Sequence, residues 1–94
     1  MKLIYNGKRY DTTRCVDLAS SRHYSPSNNY SGTTTLIRAS DGQLILYTWA
    51  NGQDCWLSDS VEIVSRDEAR DWMERTNASI EDGADVKDLI EEVP

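Results

Sequence analysis

The dipeptide Asp41-Gly42 constrains this chain more than any other pair of residues. On either side stand runs rich in β-branched, aliphatic and aromatic side chains, TTTLIRAS before it and QLILYTW after it. An Asp-Gly link between two such runs predicts a hairpin with a two-residue type I′ turn, which needs positive φ at both central positions. Pairing Ser40 with Gln43 then sets Ala39 against Leu44, Arg38 against Ile45, Ile37 against Leu46, Leu36 against Tyr47 and Thr34 against Trp49. Since side chains alternate along a strand, this register predicts one face with Ile37, Ala39, Leu44 and Leu46, and another with Leu36, Arg38, Ile45, Tyr47 and Trp49. Neither face is polar, so function turns on which one stays uncovered.

The flanking sequence supplies further elements. Asn6-Gly7 predicts an N-terminal hairpin with Tyr5 opposite Lys8, and a hairpin so short must add to the central one to persist. Cys15, Leu18 and Ala19 recur at helical spacing after Asp11-Thr12-Thr13, which predicts a short helix over 14–21, followed by a long loop over 20–32. A turn at 50–54, a short run at 55–57 and a last strand over 60–64 follow the central hairpin. Ser65-Arg66-Asp67-Glu68 fits the capping box, and Ala69, Trp72, Met73 and Thr76 make an apolar stripe, so residues 66–76 read as a helix. Val86, Leu89, Ile90 and Val93 predict a second, terminal helix from about 84 to 91. The expected fold is α+β: an antiparallel sheet of about five strands, with a short N-terminal helix and C-terminal helices packed on one face. The expected organisation is a single α+β domain over 1–76 and an acidic C-terminal helical extension over 77–94.

Charge is distributed unevenly. Residues 1–65 hold six acids and six bases, whereas 66–94 hold ten acids and four bases, so the whole net charge of −6 lies in the last third. A phosphate-binding surface needs clustered Lys and Arg, so nucleic acid is not the expected direct partner. The surplus suits a protein with a basic surface, toward which complementary fields steer association. No run of apolar residues is long enough to span a membrane, and MKLIYNGKRY lacks the apolar core of a signal peptide, so the expected location is the cytoplasm. Cys15 and Cys55 lack the spacing of a redox or metal motif and read as reduced thiols, with a bridge between them left open.

The chemistry of catalysis is missing from the sequence. The single histidine, His23, stands in the predicted loop near Ser25 and Ser27 with no acid held beside it, so no catalytic residue is assigned and the chain is not expected to be an enzyme. The acids over 81–85 lack the alternation of a calcium loop, and the glycines are isolated turn residues, so no metal or cofactor is expected. Tyr24, Tyr30, Tyr47, Trp49 and Trp56 have no basic groove around them to make a base-stacking platform. Tyrosine, tryptophan and arginine are the usual anchors of protein interfaces. The candidate partner-binding residues are therefore the acids Asp67, Glu68, Asp71, Glu74, Glu81, Asp82, Asp85 and Asp88, with Tyr30, Tyr47 and Trp49 as aromatic anchors.

Three segments together resemble a group of small phage and mobile-element proteins. They are the opening hairpin IYNGKRYDT, the turn and strand SDGQLILY, and the helix SRDEARDW, which fits S-x-x-E-A-x-x-W. The resemblance spans most of residues 1–76 and leaves 77–94 outside it. Such groups include anti-CRISPR proteins, and the resemblance implies an inhibitor that blocks target DNA binding by a type I CRISPR effector complex in the host cytoplasm. An effector of this kind holds nucleic acid in basic channels, which an acidic protein can occupy as a DNA mimic. The alternative reading is a small dimeric accessory protein of a mobile element, a homodimer formed through the terminal apolar stripe.

Overall fold

A computed structural model describes residues 2–50, 57, 59–91 and 93. The elements are β1 (Lys2–Tyr5), β2 (Lys8–Asp11), β3 (Val16–Tyr24), β4 (Tyr30–Arg38), β5 (Leu44–Ala50), β6 (Ser60–Val64), α1 (Arg66–Thr76) and β7 (Ser79–Ile80). Five of the strands form one antiparallel sheet in the order β6-β5-β4-β3-β7, while β1 and β2 make a separate two-stranded sheet. The fold is thus a small α+β architecture with one helix. The turn at 50–54 and most of the run at 55–57 lie outside the described residues, as does Cys55.

The central hairpin forms, but in a register one residue away from the predicted one. Leu36 pairs with Leu46, Ile37 with Ile45 and Arg38 with Leu44. The cause is in the turn. Gly42 takes φ +91° while Asp41 stays out of the positive-φ region, the Gly42 amide donates to the Ala39 carbonyl, and the Ala39 amide donates to Gln43, both at 2.9 Å. That is a three-residue loop, a type I turn followed by a left-handed glycine, rather than the two-residue type I′ turn. A slip of one residue moves a strand's side chains to the opposite face. Leu36 therefore joins Leu44 and Leu46 under the helix, and Ile37 with Ala39 joins Ile45 on the other side.

The predicted helix over 14–21 is not formed. Asp11 caps a single 3-10 turn, Thr12–Arg14, which ends at Cys15 in extended backbone, and β3 begins one residue later. Leu18 and Ala19 are both buried because a bulge shifts the register between Asp17 and Ala19. Burial of two adjacent residues is what gave the segment a helical appearance, and an extra residue in a strand achieves the same. The predicted long loop over 20–32 contracts to a tight turn over 25–29, between β3 and β4. The Ser25 amide donates to Asn29 and the Asn28 amide to Ser25, both at 2.8 Å, with Pro26 at the second turn position and Asn28 at φ +64°.

The first hairpin forms as predicted, Tyr5 opposite Lys8, with Asn6 and Gly7 at φ 53° and 75°. It does not extend the sheet. It lies over one end of a sheet face, where Tyr10 and Leu3 pack with Ile37, Ala39 and Ile45. The opposite face carries α1, whose Ala69, Trp72 and Met73 cover Leu18, Leu36, Leu44, Leu46 and Val64. Both halves of the Ser65/Glu68 capping box are present, and Asn77 ends the helix in left-handed conformation. The chain then crosses to the far sheet edge, pairs Ser79 and Ile80 with β3, and turns at Gly83. The terminal helix over 84–91 is not formed. Residues 86–90 make one hydrogen-bonded turn, with the Leu89 and Ile90 amides donating to Val86 at 2.9 and 3.0 Å. A glycine at the start and carboxylates on either side leave the segment without helix-forming strength of its own. Packing shapes it instead, since Val86 and Leu89 are buried in the core under α1.

Candidate functional site

The acidic candidates gather in one outer layer made by α1 and the segment after it. Asp67 and Asp71 lie on exposed turns of α1 beside Arg70 at 3.6 Å and Arg75 at 3.8 Å, in surface pairs worth under about 1 kcal/mol each. Glu68 serves the helix end, where its carboxylate accepts from the Ser65 amide at 3.1 Å. Asp85 accepts from the Lys87 amide at 3.3 Å. Among the described residues, Glu74, Glu81, Asp82, Asp85 and Glu91 have no ion-pair partner, and all five are exposed.

Asp88 differs from the others. It takes Arg38 from β4 at 2.7 Å and Arg66 from the start of α1 at 3.6 Å. Its partial burial favours the neutral acid, but the Arg38 hydrogen bond and the charges of Arg38 and Arg66 outweigh that and hold its carboxyl below the usual range. Arg38 also donates to the Asp85 carbonyl at 3.2 Å, and Arg70 donates through Nε to the Leu89 carbonyl at 2.6 Å. Three arginines thus hold the 85–89 segment, Arg38 and Arg66 through Asp88 and Arg38 and Arg70 through backbone carbonyls, while Arg70 also reaches Asp67 on the helix surface. Asp88 is engaged by two arginines and Glu68 caps the helix, so the exposed acids outside these contacts are Asp67, Asp71, Glu74, Glu81, Asp82 and Asp85, to which the structure adds Glu91.

The aromatic candidates lie on the other side of the sheet. Among the described residues the N-terminal hairpin packs on only part of that face, and Tyr24, Tyr30 and Trp49, at the ends of β3, β4 and β5, are exposed. Arg22 pairs with Thr33 and Thr33 with Trp49, so these three side chains form one row across three strands. Tyr30 stands beside the row, its hydroxyl hydrogen-bonded to Thr33 and its ring centroid 6.3 Å from Trp49. Tyr24, directly across from Tyr30, adds a third ring at 6.2 Å. Trp49 is 44% exposed, Tyr30 40% and Tyr24 52%. Tyr47 is half-buried against the hairpin-side core and belongs with the packing more than with the patch. Tyr24 and Arg22 were not among the candidate residues. The signal for Tyr24 is the Pro-Ser-Asn turn it shares with Tyr30, which marks the two as partners across a hairpin once 24–30 is read as a turn.

His23 is in β3 and not in a loop. Its Nε2 lies 2.6 Å from the Thr34 hydroxyl, which is 2.8 Å from that of Thr48. Among the described residues no group of three or more His, Cys, Asp and Glu is placed to hold a metal ion. No helix in that set is long and apolar enough to cross a membrane. Lys2, Arg9 and Arg14 line a cleft of about 430 Å³ with Asp11, Ala39 and Ser40. No family model, no curated protein and no solved structure matches the chain.

Proposed function

We propose that this chain is a binding protein without catalytic chemistry, which docks its acidic layer on a basic, nucleic-acid-handling protein. The observation that supports this reading is the arrangement of carboxylates. Five of them have no cationic partner among the described residues, while Arg38 and Arg66 are engaged by Asp88, and Arg38 and Arg70 hydrogen-bond the backbone at Asp85 and Leu89. A rigid array of negative charge lowers the ordering cost of association and substitutes for phosphates in a basic channel. The resemblance to phage and mobile-element proteins makes a type I CRISPR effector complex the candidate partner, with target DNA excluded from the channel the acids occupy. The apolar stripe that a homodimer would use is committed to the core at Val86 and Leu89.

The test is a target-DNA binding assay with a purified type I effector complex and increasing amounts of the protein. Inhibition should weaken at 0.5 M salt, where the screening length falls to about 4 Å. It should weaken by at least tenfold in a Glu74→Lys/Asp82→Lys double variant, roughly the effect of losing 1.4 kcal/mol. Undiminished inhibition by that variant, or none by the parent protein, would sink the proposal.

A further inference from the structure

The even charge balance of residues 1–65 hides a local surplus. Of the six bases there, Lys2, Arg9 and Arg14 come together on folding around the cleft of about 430 Å³ between the N-terminal hairpin and the end of β4. Strand geometry explains the gathering. Lys2 stands opposite Asp11 in the hairpin register, Arg9 precedes Asp11 by two residues and so shares its face, and the 3-10 turn Thr12–Arg14 brings Arg14 beside them. We infer that this cleft binds the phosphate group of a small organic phosphate monoester.

Charge identifies the ligand. All three cations are exposed, and none has an ion-pair partner among the described residues, whereas Arg38, Arg66, Arg70 and Arg75 each lie within 3.8 Å of a carboxylate. The one acid lining the cleft, Asp11, is committed to the turn, where its Oδ1 accepts from the Thr13 amide at 3.1 Å and the Thr13 hydroxyl at 2.8 Å. Three cations less one carboxylate leave a surplus of two positive charges, and a phosphate monoester carries about −1.5 to −2 at neutral pH. Charges of one sign lining a cleft focus their field into it. Each guanidinium offers a planar fork of N–H donors that matches phosphate oxygens in pairs, and Lys2 adds a point charge. The same surplus repels a metal ion. A nucleic-acid strand needs cations along a track, and these are confined to one cleft.

The walls are set before a ligand arrives. Tyr10 and Ala39 are buried with Ile37 and Ile45, the Tyr10 hydroxyl donates to Asp41 at 2.7 Å, and Lys8 pairs with the same carboxylate at 3.3 Å. These contacts lock the hairpin onto the central turn, so binding costs little ordering. The Cys15 thiol donates to the Asp11 carbonyl at 3.4 Å, and burial together with the charges of Asp11, Asp41 and Asp17 pushes its pKa up, so it is a neutral wall. The volume is that of a small-molecule site and larger than a phosphate group, which leaves room for the organic body over Ala39 and Tyr10.

The test is an amide NMR titration of the full chain with ribose 5-phosphate, with ribose as the neutral control. Ribose 5-phosphate should bind saturably, with a dissociation constant below about 1 mM, and the shifted amides should map to residues 9–15 with Ala39 and Ser40. Inorganic phosphate should shift the same amides with lower affinity, since it has no body to cover Ala39 and Tyr10. Arg9→Gln and Arg14→Gln should each weaken binding at least about tenfold, the effect of losing one charge-assisted hydrogen bond. Both positions are exposed, so the variants should fold as the parent does. Lys87→Gln removes the same charge outside the cleft and should leave the affinity unchanged. Absence of saturation, equal binding of ribose or of inorganic phosphate, or shifts spread to Arg22 and Lys87 would each overturn the inference. So would tighter binding of a short single-stranded oligonucleotide, or a dimer that Arg14→Gln dissociates, which would place a second copy in the cleft.

Discussion

Leu89→Ala tests whether the 81–91 segment belongs to the folded core or hangs from it. Leu89 is 1% exposed and Val86 4%, and both pack in the cluster with Trp72, Met73, Leu36 and Leu46. Truncating a buried leucine costs about 2–5 kcal/mol, according to how far the surroundings close the gap. The segment is tied by single hydrogen bonds, from Arg38 to Asp85 and from Arg70 to Leu89, and not by a ladder, so it can settle part of the way. We expect about 2–3 kcal/mol for this site. For a chain of 94 residues the total stability is about 5–14 kcal/mol, so this is a large share. Each kcal/mol moves the melting temperature of so small a domain by about 4–8 °C, which gives a drop of about 10–20 °C. The assay is urea unfolding alongside thermal melting, with the urea slope unchanged. Val93→Ala is the control, since Val93 is 86% exposed and should shift stability by under about 0.5 kcal/mol. Leu89→Ala within about 0.5 kcal/mol of the parent would refute the argument, because a residue so enclosed cannot be lost without effect. On the same reasoning a chain truncated after Asn77 should lose its cooperative transition.

Gly42→Ala should cost about 1–2 kcal/mol in urea unfolding, because φ is +91° there; no atom lies within 4 Å of the added Cβ, so the penalty is conformational and Gly42→Asn should recover part of it. Ser65→Ala removes one half of the capping box and should cost about 1 kcal/mol, with faster amide exchange confined to the first turn of α1. Asp41 is held below the usual carboxylate range by the Tyr10 hydroxyl, the Gln43 amide and Lys8, Asp11 by Thr13, and Asp88 by its arginines against the opposing effect of burial. Their contribution is full above the unfolded value near 4 and is lost as pH falls through the lower folded values, so melting temperature should drop on acidification below about pH 4. Tyr10 has the opposite sign: its bond to Asp41 raises the phenol above its ordinary value, so that contribution is present below about pH 10 and lost as pH rises through the folded value. In Tyr10→Phe the Asp41 carboxyl should titrate closer to its ordinary value by NMR, and an unchanged titration would contradict the 2.7 Å contact.

Several elements were legible in the residues because their signals are local. The Asn6-Gly7 turn needs only its own two positive-φ residues, and Ser65 with Glu68 caps α1 through bonds three residues apart. The α1 stripe and the last strand over 60–64 needed only period. The concentration of acids after residue 65 was likewise open to inspection, as were Tyr30 and Trp49 as candidate anchors.

What the sequence could not settle alone depended on contacts between distant residues. Asp-Gly suits either a two-residue or a three-residue loop, and the packing of Leu36 against α1 with Ile37 against Tyr10 selects the longer one. Cys15, Leu18 and Ala19 suit a helix by spacing, but β4 pairs along 16–24, β7 pairs Ala19 and Ser20 on the other side, and a bulge accommodates the two adjacent apolar residues. Periodicity at 86, 89, 90 and 93 identified residues that seek an apolar surface, yet only the tertiary structure brings that surface to them, beneath α1. The same holds for the charges: their number is a property of the chain, whereas folding decides which acids the arginines engage and which face solvent. Local chemistry therefore determined the Asn6-Gly7 turn, the cap and the composition of the surfaces. Register, sheet order and the separation of an acidic layer from an aromatic face arise from long-range packing, which no short window of sequence contains.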